Sequence, residues 1–188
     1  MGLSHVHANP RGRTFDDGNV SNSFSGQSRL WIADFVYKWA PEGNSSHTNF
    51  KLQGEYFQRR ESGDLTYDLG GAAEAASAAR FRQSGSYLQG VYQFMPHWRV
   101  GLRGDWLRAG TTDPGSLTSA ELPILAAYSP SRQSAMVDWS PSEFSRLRLQ
   151  VARDKSRAGE ADSQIWLQYI MSLGAHRSEE HTSELQSL

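Results

Sequence analysis

Apolar and polar residues alternate with a period of two in stretch after stretch of this chain. In a β-strand successive side chains point to opposite faces, so this pattern describes half-buried strands and little else. In RLWIADFVYKWA, Trp31, Ala33, Phe35, Tyr37 and Trp39 share one face, and Asp34 and Lys38 share the other. In TNFKLQGEYFQRR, Phe50, Leu52, Gly54 and Tyr56 alternate with Lys51, Gln53, Glu55 and Phe57. SYLQGVYQFM sets Leu88, Gly90, Tyr92 and Phe94 against Gln89 and Gln93. WRVGLRGDWLR sets Val100, Leu102, Gly104 and Trp106 against Arg99, Arg103 and Asp105. SAMVDW sets Ala135, Val137 and Trp139 against Asp138, and SRLRLQVAR sets Leu147, Leu149 and Val151 against Arg146 and Arg148. QIWLQYIMSL puts Ile165, Leu167, Tyr169, Met171 and Leu173 on one side.

The pattern predicts seven strands, with an eighth in GLSHVHA at the start. Short connections (APEGNSS, MPH, SPSE) alternate with long polar ones at 8–28, 60–83, 108–131 and 154–163. An up-and-down transmembrane barrel has this asymmetry of tight turns and long loops. A soluble β-sandwich could alternate too, but nothing makes its loops sort by length. The expected fold is therefore all-β, an antiparallel up-and-down meander forming part of a transmembrane β-barrel. LGGAAEAASAAR is rich in alanine, which favours helix. A short helix is expected there, within the 60–83 connection, with an unstructured loop tip as the alternative.

No run approaches the roughly 18 apolar residues of a membrane-crossing helix. Alternation keeps a barrel polar on average, and hydrophobic residues are only 38% of these 188. Cysteine is absent, which removes disulfides and cysteine-based zinc sites. A formal net charge of -1 argues against a nucleic-acid partner. MGLSHVHANPRGR has no long apolar core of the kind a secretion signal carries, so the chain is read as cytosolic or as lacking its true beginning.

Trp39, Trp98, Trp139, Tyr37 and Phe94 fall at the short-turn ends of the predicted strands. Tryptophan and tyrosine occupy such places in the interfacial girdles of barrels, and core aromatics of a sandwich are the alternative. The opposite faces carry Lys38, Lys51, Arg99, Arg103, Arg146 and Arg148 with Asp34, Glu55, Asp105 and Asp138. Read as lumen-facing charges, they give a mild bias toward anions. Arg146 and Arg148 stand close on one face and need an anion, water or a carboxylate. Asp105 and Asp138 are the candidates for a salt-bridge ladder.

His5 and His7 share a strand face and are weak candidates for a metal, with no third ligand nearby in sequence. RGD at 103–105 lies inside a predicted strand rather than at a loop tip. No nucleophile elbow, phosphate loop or catalytic triad spacing occurs, so no enzyme activity and no cofactor are expected.

RLWIADFVYKWAPEGN, TNFKLQGEYFQRRESGDLTYD, GVYQFMPHWRVGLR, MVDWSPSEFSRLRLQ and QIWLQYIMSLGAH resemble a family of large proteobacterial outer-membrane β-barrel proteins. The family is porin-like, and its members are often labelled TonB-dependent or zinc-regulated. The resemblance spans most of residues 1–176 and corresponds to the C-terminal part of the family barrel. It implies a place in the bacterial outer membrane, with outer-membrane lipid, the barrel-assembly machinery and a small hydrophilic solute as partners. A family barrel would end on an aromatic residue soon after SLGAH. Here RSEEHTSELQS follows instead, and it resembles the translation of a sequencing adapter. Residues 177–188 are accordingly read as a non-biological tail, and the chain as a fragment truncated at both ends. The first functional expectation is a channel for diffusion of small hydrophilic solutes. The alternatives are the barrel of an energy-coupled receptor for a metal or other nutrient, and a soluble β-sandwich binding module.

Overall fold

A computed structural model describes residues 1–17, 20–117 and 128–172. These form one antiparallel sheet of nine strands. In chain order they are β1 (Gly2–Ala8), β2 (Arg13–Asp17), β3 (Val20–Trp39), β4 (Asn49–Tyr67), β5 (Ala75–Met95), β6 (Trp98–Asp113), β7 (Ser131–Ser142), β8 (Ser145–Lys155) and β9 (Asp162–Met171). From β3 to β9 each strand pairs with the next, as an up-and-down meander requires. Strands β1 and β2 lie end to end along β3, opposite Ser28–Asp34 and Val20–Phe24. The break between them falls at Asn9–Gly12, around Pro10, which has no N–H to give a ladder. Gly26 N instead donates to Pro10 O at 3.0 Å.

The path runs from β1 to β9 without closing. Among the described residues no second sheet packs on this one, and no helix is long and apolar enough to cross a membrane. The three short connections fall where the alternation stops. They are the turn around Pro41–Gly43, Pro96–His97 with His97 at φ 70°, and the bulged turn between Ser142 and Ser145.

The long connections are shorter than the sequence suggested. Strands β3, β4 and β5 run 20, 19 and 21 residues; β2 and β3 take up most of the segment 8–28, and β4 and β5 most of 60–83. The expected helix in LGGAAEAASAAR does not form. Ala75 pairs with Tyr67 and the ladder continues from there. Alanine's helix preference amounts to a few tenths of a kcal/mol per residue, less than a ladder extended on an existing strand contributes. Ala79 is also buried with Leu65 and Leu117, against Phe15, Tyr67, Ala75 and Phe81, where a small side chain fits. The loop that remains turns on Asp68 and Gly70, both at positive φ, and Ala73 N donates to the Asp68 carboxylate at 2.8 Å.

Gly26 and Gly63 stand opposite each other on β3 and β4. A Cβ on Gly63 would sit 2.1 Å from Ser25 O, and one on Gly26 would sit 2.3 Å from Ser62 O. The two backbones approach too closely for a side chain at either position. The chain after Met171 is described only to Ser172, so Leu173 and the segment 177–188 lie outside the described residues.

Candidate functional site

Residues paired directly across an antiparallel ladder point to the same side, so the register sorts every side chain onto one of two faces. All ten charges singled out in the sequence fall on one face. They are Asp34 and Lys38 on β3, Lys51 and Glu55 on β4, Arg99, Arg103 and Asp105 on β6, Asp138 on β7, and Arg146 and Arg148 on β8. Val100, Leu102, Leu147 and Leu149 fall on the other, and all four are exposed.

The polar face is also the covered one. Phe24, Glu61, Leu65, Ala79, Gln93, Asp138 and Ala152 are buried on it. In a single layer only neighbouring side chains of the same face can provide this cover. Side chains two strands apart in fact meet there: Arg13 of β2 reaches Glu61 of β4 at 2.8 Å, and Phe24 of β3 meets Phe81 of β5 edge to face at 5.9 Å. The sheet therefore curls toward its polar side.

Near the short turns Asp138 is the organising carboxylate. It is 1% exposed and holds Arg148 through two bonds of 2.6 and 2.8 Å, with Arg146 more loosely placed at 3.7 Å. Among the described residues the Arg146 Nε has no hydrogen-bond partner. The arginines Arg146 and Arg148 thus share Asp138, while Asp105 belongs to Arg103 on its own strand at 2.6 Å. Arg103 also donates to Gln89 at 3.2 Å and stacks over Tyr87 at 4.1 Å. Arg99 stands opposite Asp138 yet donates to Gln93 at 3.2 Å. Buried Gln93 in turn pins the β3–β4 turn by donating to Ser46 O at 2.7 Å. Lys38 and Lys51 stand directly opposite each other, and so do Asp34 and Glu55. Among the described residues none of these four takes part in a salt bridge.

A second cluster, at the end of the long connections, was not foreseen. Glu61 accepts from Arg13 at 2.8 and 3.2 Å and from Arg59 at 2.5 Å, and Arg13 lies over the Phe24 ring at 5.2 Å. With Phe15, Leu65 and Phe81 these residues line a hollow of about 410 Å3. Arg132 and Asp154, 3.7 Å apart, and Asp162 also join the polar face. Each lies beyond the predicted strand ends, although the even-numbered run Arg132, Ser134, Met136, Asp138 continues the alternation.

The opposite face carries two rows of exposed aromatics. Tyr37, Trp39, Phe94, Trp98 and Trp139 lie at the short-turn ends, and Trp98 and Trp139 stack at 6.1 Å. Trp31, Tyr56 and Trp106 form a second row toward the other end, also exposed. Trp31 to Trp39 and Trp98 to Trp106 each span nine residues. Between the rows, this face of β3 to β9 contains no Asp, Glu, Lys or Arg short of Arg153. His5 packs on Trp31 at 4.3 Å and thus belongs to this face. Among the described residues no group of three His, Asp or Glu able to hold a metal forms around it or His7.

No family model matches the chain, and no solved structure matches it. An uncharacterized protein of Aquifex aeolicus (strain VF5) is 25% identical over 181 residues. The match covers 94% of this chain, and the chain spans 36% of that protein's length.

Proposed function

We propose that this sheet is part of a bacterial outer-membrane β-barrel whose polar face lines an aqueous path for small hydrophilic solutes. The observation that carries the reading is the uncharged band between two aromatic rows on an exposed face. Nine residues is the length with which a tilted strand crosses the hydrocarbon layer, and a lipid-facing charge at its midplane costs roughly 2–4 kcal/mol. In water the same band would be a contiguous apolar patch of the kind monomeric soluble proteins rarely expose. Among the described residues the single sheet in meander order gives a sandwich no second layer to bury that band against. On the polar side most arginines keep hydration and carboxylate partners, and Lys38 and Lys51, without a salt bridge among the described residues, leave a basic zone near the short turns.

The test is conductance of the full-length protein in planar bilayers. Discrete channels are expected, and the double variant Lys38→Glu, Lys51→Glu should move the reversal potential toward cation selectivity. Arg146→Glu with Arg148→Glu should move it the same way, by less per charge, because Asp138 already offsets one of the two cations. A protein that inserts but conducts nothing would remove the channel reading.

A further inference from the structure

On the apolar face the uncharged band ends, toward the long connections, at a border of basic residues. Arg29 of β3, Arg60 of β4 and Arg82 of β5 are in register on three adjacent strands. Arg108 of β6 and Arg153 and Lys155 of β8 continue the border around the sheet. All six are exposed. Like charges directly opposite one another are destabilising, so three aligned arginines are a costly arrangement. Among the described residues Arg29 and Arg60 donate to Gln27 and Gln58 of their own strands, at 3.3 and 3.1 Å, and to no carboxylate. Among the described residues no carboxylate lies within ion-pair distance of any of the six. Asp113 stands opposite the neighbouring Arg80, and Asp64 lies one step further out, but neither forms a salt bridge. On the polar face, by contrast, Arg13, Arg59, Arg103, Arg132, Arg146 and Arg148 have carboxylates, with Arg99 bonded to Gln93 instead. Arg29, Arg60, Arg80 and Arg82 also line a hollow of about 490 Å3, in which four arginines outnumber the two carboxylates of Glu61 and Asp113.

We infer that this border is a binding site for the phosphate groups of an anionic membrane lipid, whose acyl chains lie along the apolar band below it. The inference rests on the membrane reading given above. Guanidinium groups match phosphate oxygens in pairs, and the row sits next to the aromatic belt of Trp31, Tyr56 and Trp106, at headgroup depth. A phosphorylated amphiphile satisfies both halves of the surface at once, whereas a free anion satisfies only the row.

The experiment uses the full-length protein in detergent, titrated with phosphatidic acid, with phosphatidylcholine of the same chains, and with inorganic phosphate. Lipid retention is read by native mass spectrometry. Wild-type protein should retain phosphatidic acid in preference to phosphatidylcholine, and phosphate should not compete. The triple variant Arg29→Gln, Arg60→Gln, Arg82→Gln should lose at least about tenfold in that preference. The Arg→Lys triple variant should keep part of it. Equal retention of the two lipids by wild type, or an unchanged preference in the Gln variant, overturns the site. Competition by phosphate at the same concentration shows a soluble-anion site and overturns the lipid assignment. Insertion into vesicles is scored separately by protease protection. Failure of the wild type there overturns the membrane reading itself, and this site with it.

Discussion

Asp138 and Glu61 are both buried carboxylates on the polar face, each shared by two arginines, yet they are built differently. Asp138 meets Arg148 directly across the β7–β8 hairpin, ten residues away along the chain. Glu61 draws one cation, Arg59, from its own strand and the other, Arg13, from two strands away and 48 residues distant in sequence. Asp138 lies beside the uncharged band, where one face is apolar and the other polar. Glu61 lies beyond the band, where both faces carry charge. Local hairpin geometry assembles the first cluster, and curvature of the whole sheet assembles the second.

Five substitutions sharpen that contrast, each read from the urea midpoint of the full-length protein folded in detergent. The largest effect is expected from Gly63→Val. Its side chain would collide with Ser25 O, which is backbone and cannot swing away. A loss of about 3 kcal/mol is expected, with the Glu61 cluster disrupted and the Asp138 cluster intact. A midpoint unchanged by Gly63→Val would mean that the sheet does not depend on the close approach of β3 and β4. Asp138→Ala comes next, at about 2 kcal/mol. Removing one partner from a buried pair costs more, but Arg146 and Arg148 retain 34% and 27% side-chain exposure and recover hydration. Glu61→Ala should cost less, about 1 kcal/mol, since Arg13 and Arg59 are more exposed still, at 41% and 38%. A Glu61→Ala loss exceeding that of Asp138→Ala would reverse the ranking and show that the long-range tie matters more than the hairpin. The smallest difference lies within the Asp138 cluster. Arg148→Ala should cost about 1 kcal/mol and Arg146→Ala only a few tenths, because the second contact is long and lacks the paired geometry.

The same contrast explains what the sequence made legible. Inside the band, residues such as Leu147 and Arg148 differ in polarity, so period two is visible, and strands, faces and short turns follow from it. The ten charges and five aromatics could be placed on opposite sides for that reason. Beyond the band, Arg59, Glu61 and Gly63 alternate with Arg60, Ser62 and Asp64. Both sets are polar, the contrast between faces disappears, and a strand there looks like a loop. Strand β2 and the starts of β3 and β5 were missed in this way, and with them Arg13. Alanine content misled for a related reason: at Ala79 it marks a tight contact under Leu65 rather than a helix. Whether Arg146 and Arg148 are held by Asp105 or Asp138 depends on register, which spacing within one strand cannot specify.

The two like-charged rungs on β3 and β4 have a further consequence under the proposed function. Asp34 with Glu55 and Lys38 with Lys51 are four residues apart, about 13 Å along the strands. A permeating ion meets carboxylates and then ammonium groups in one direction, and the reverse in the other. Fixed charges of opposite sign in series act as a junction does between oppositely doped layers, admitting counter-ions to one zone while depleting them from the next. Current through the full-length protein should therefore rectify at low salt. It should become ohmic as salt shortens the screening length below the spacing of the rungs. Lys38→Gln with Lys51→Gln should abolish the asymmetry, and rectification that persists in that variant would place its origin elsewhere in the barrel.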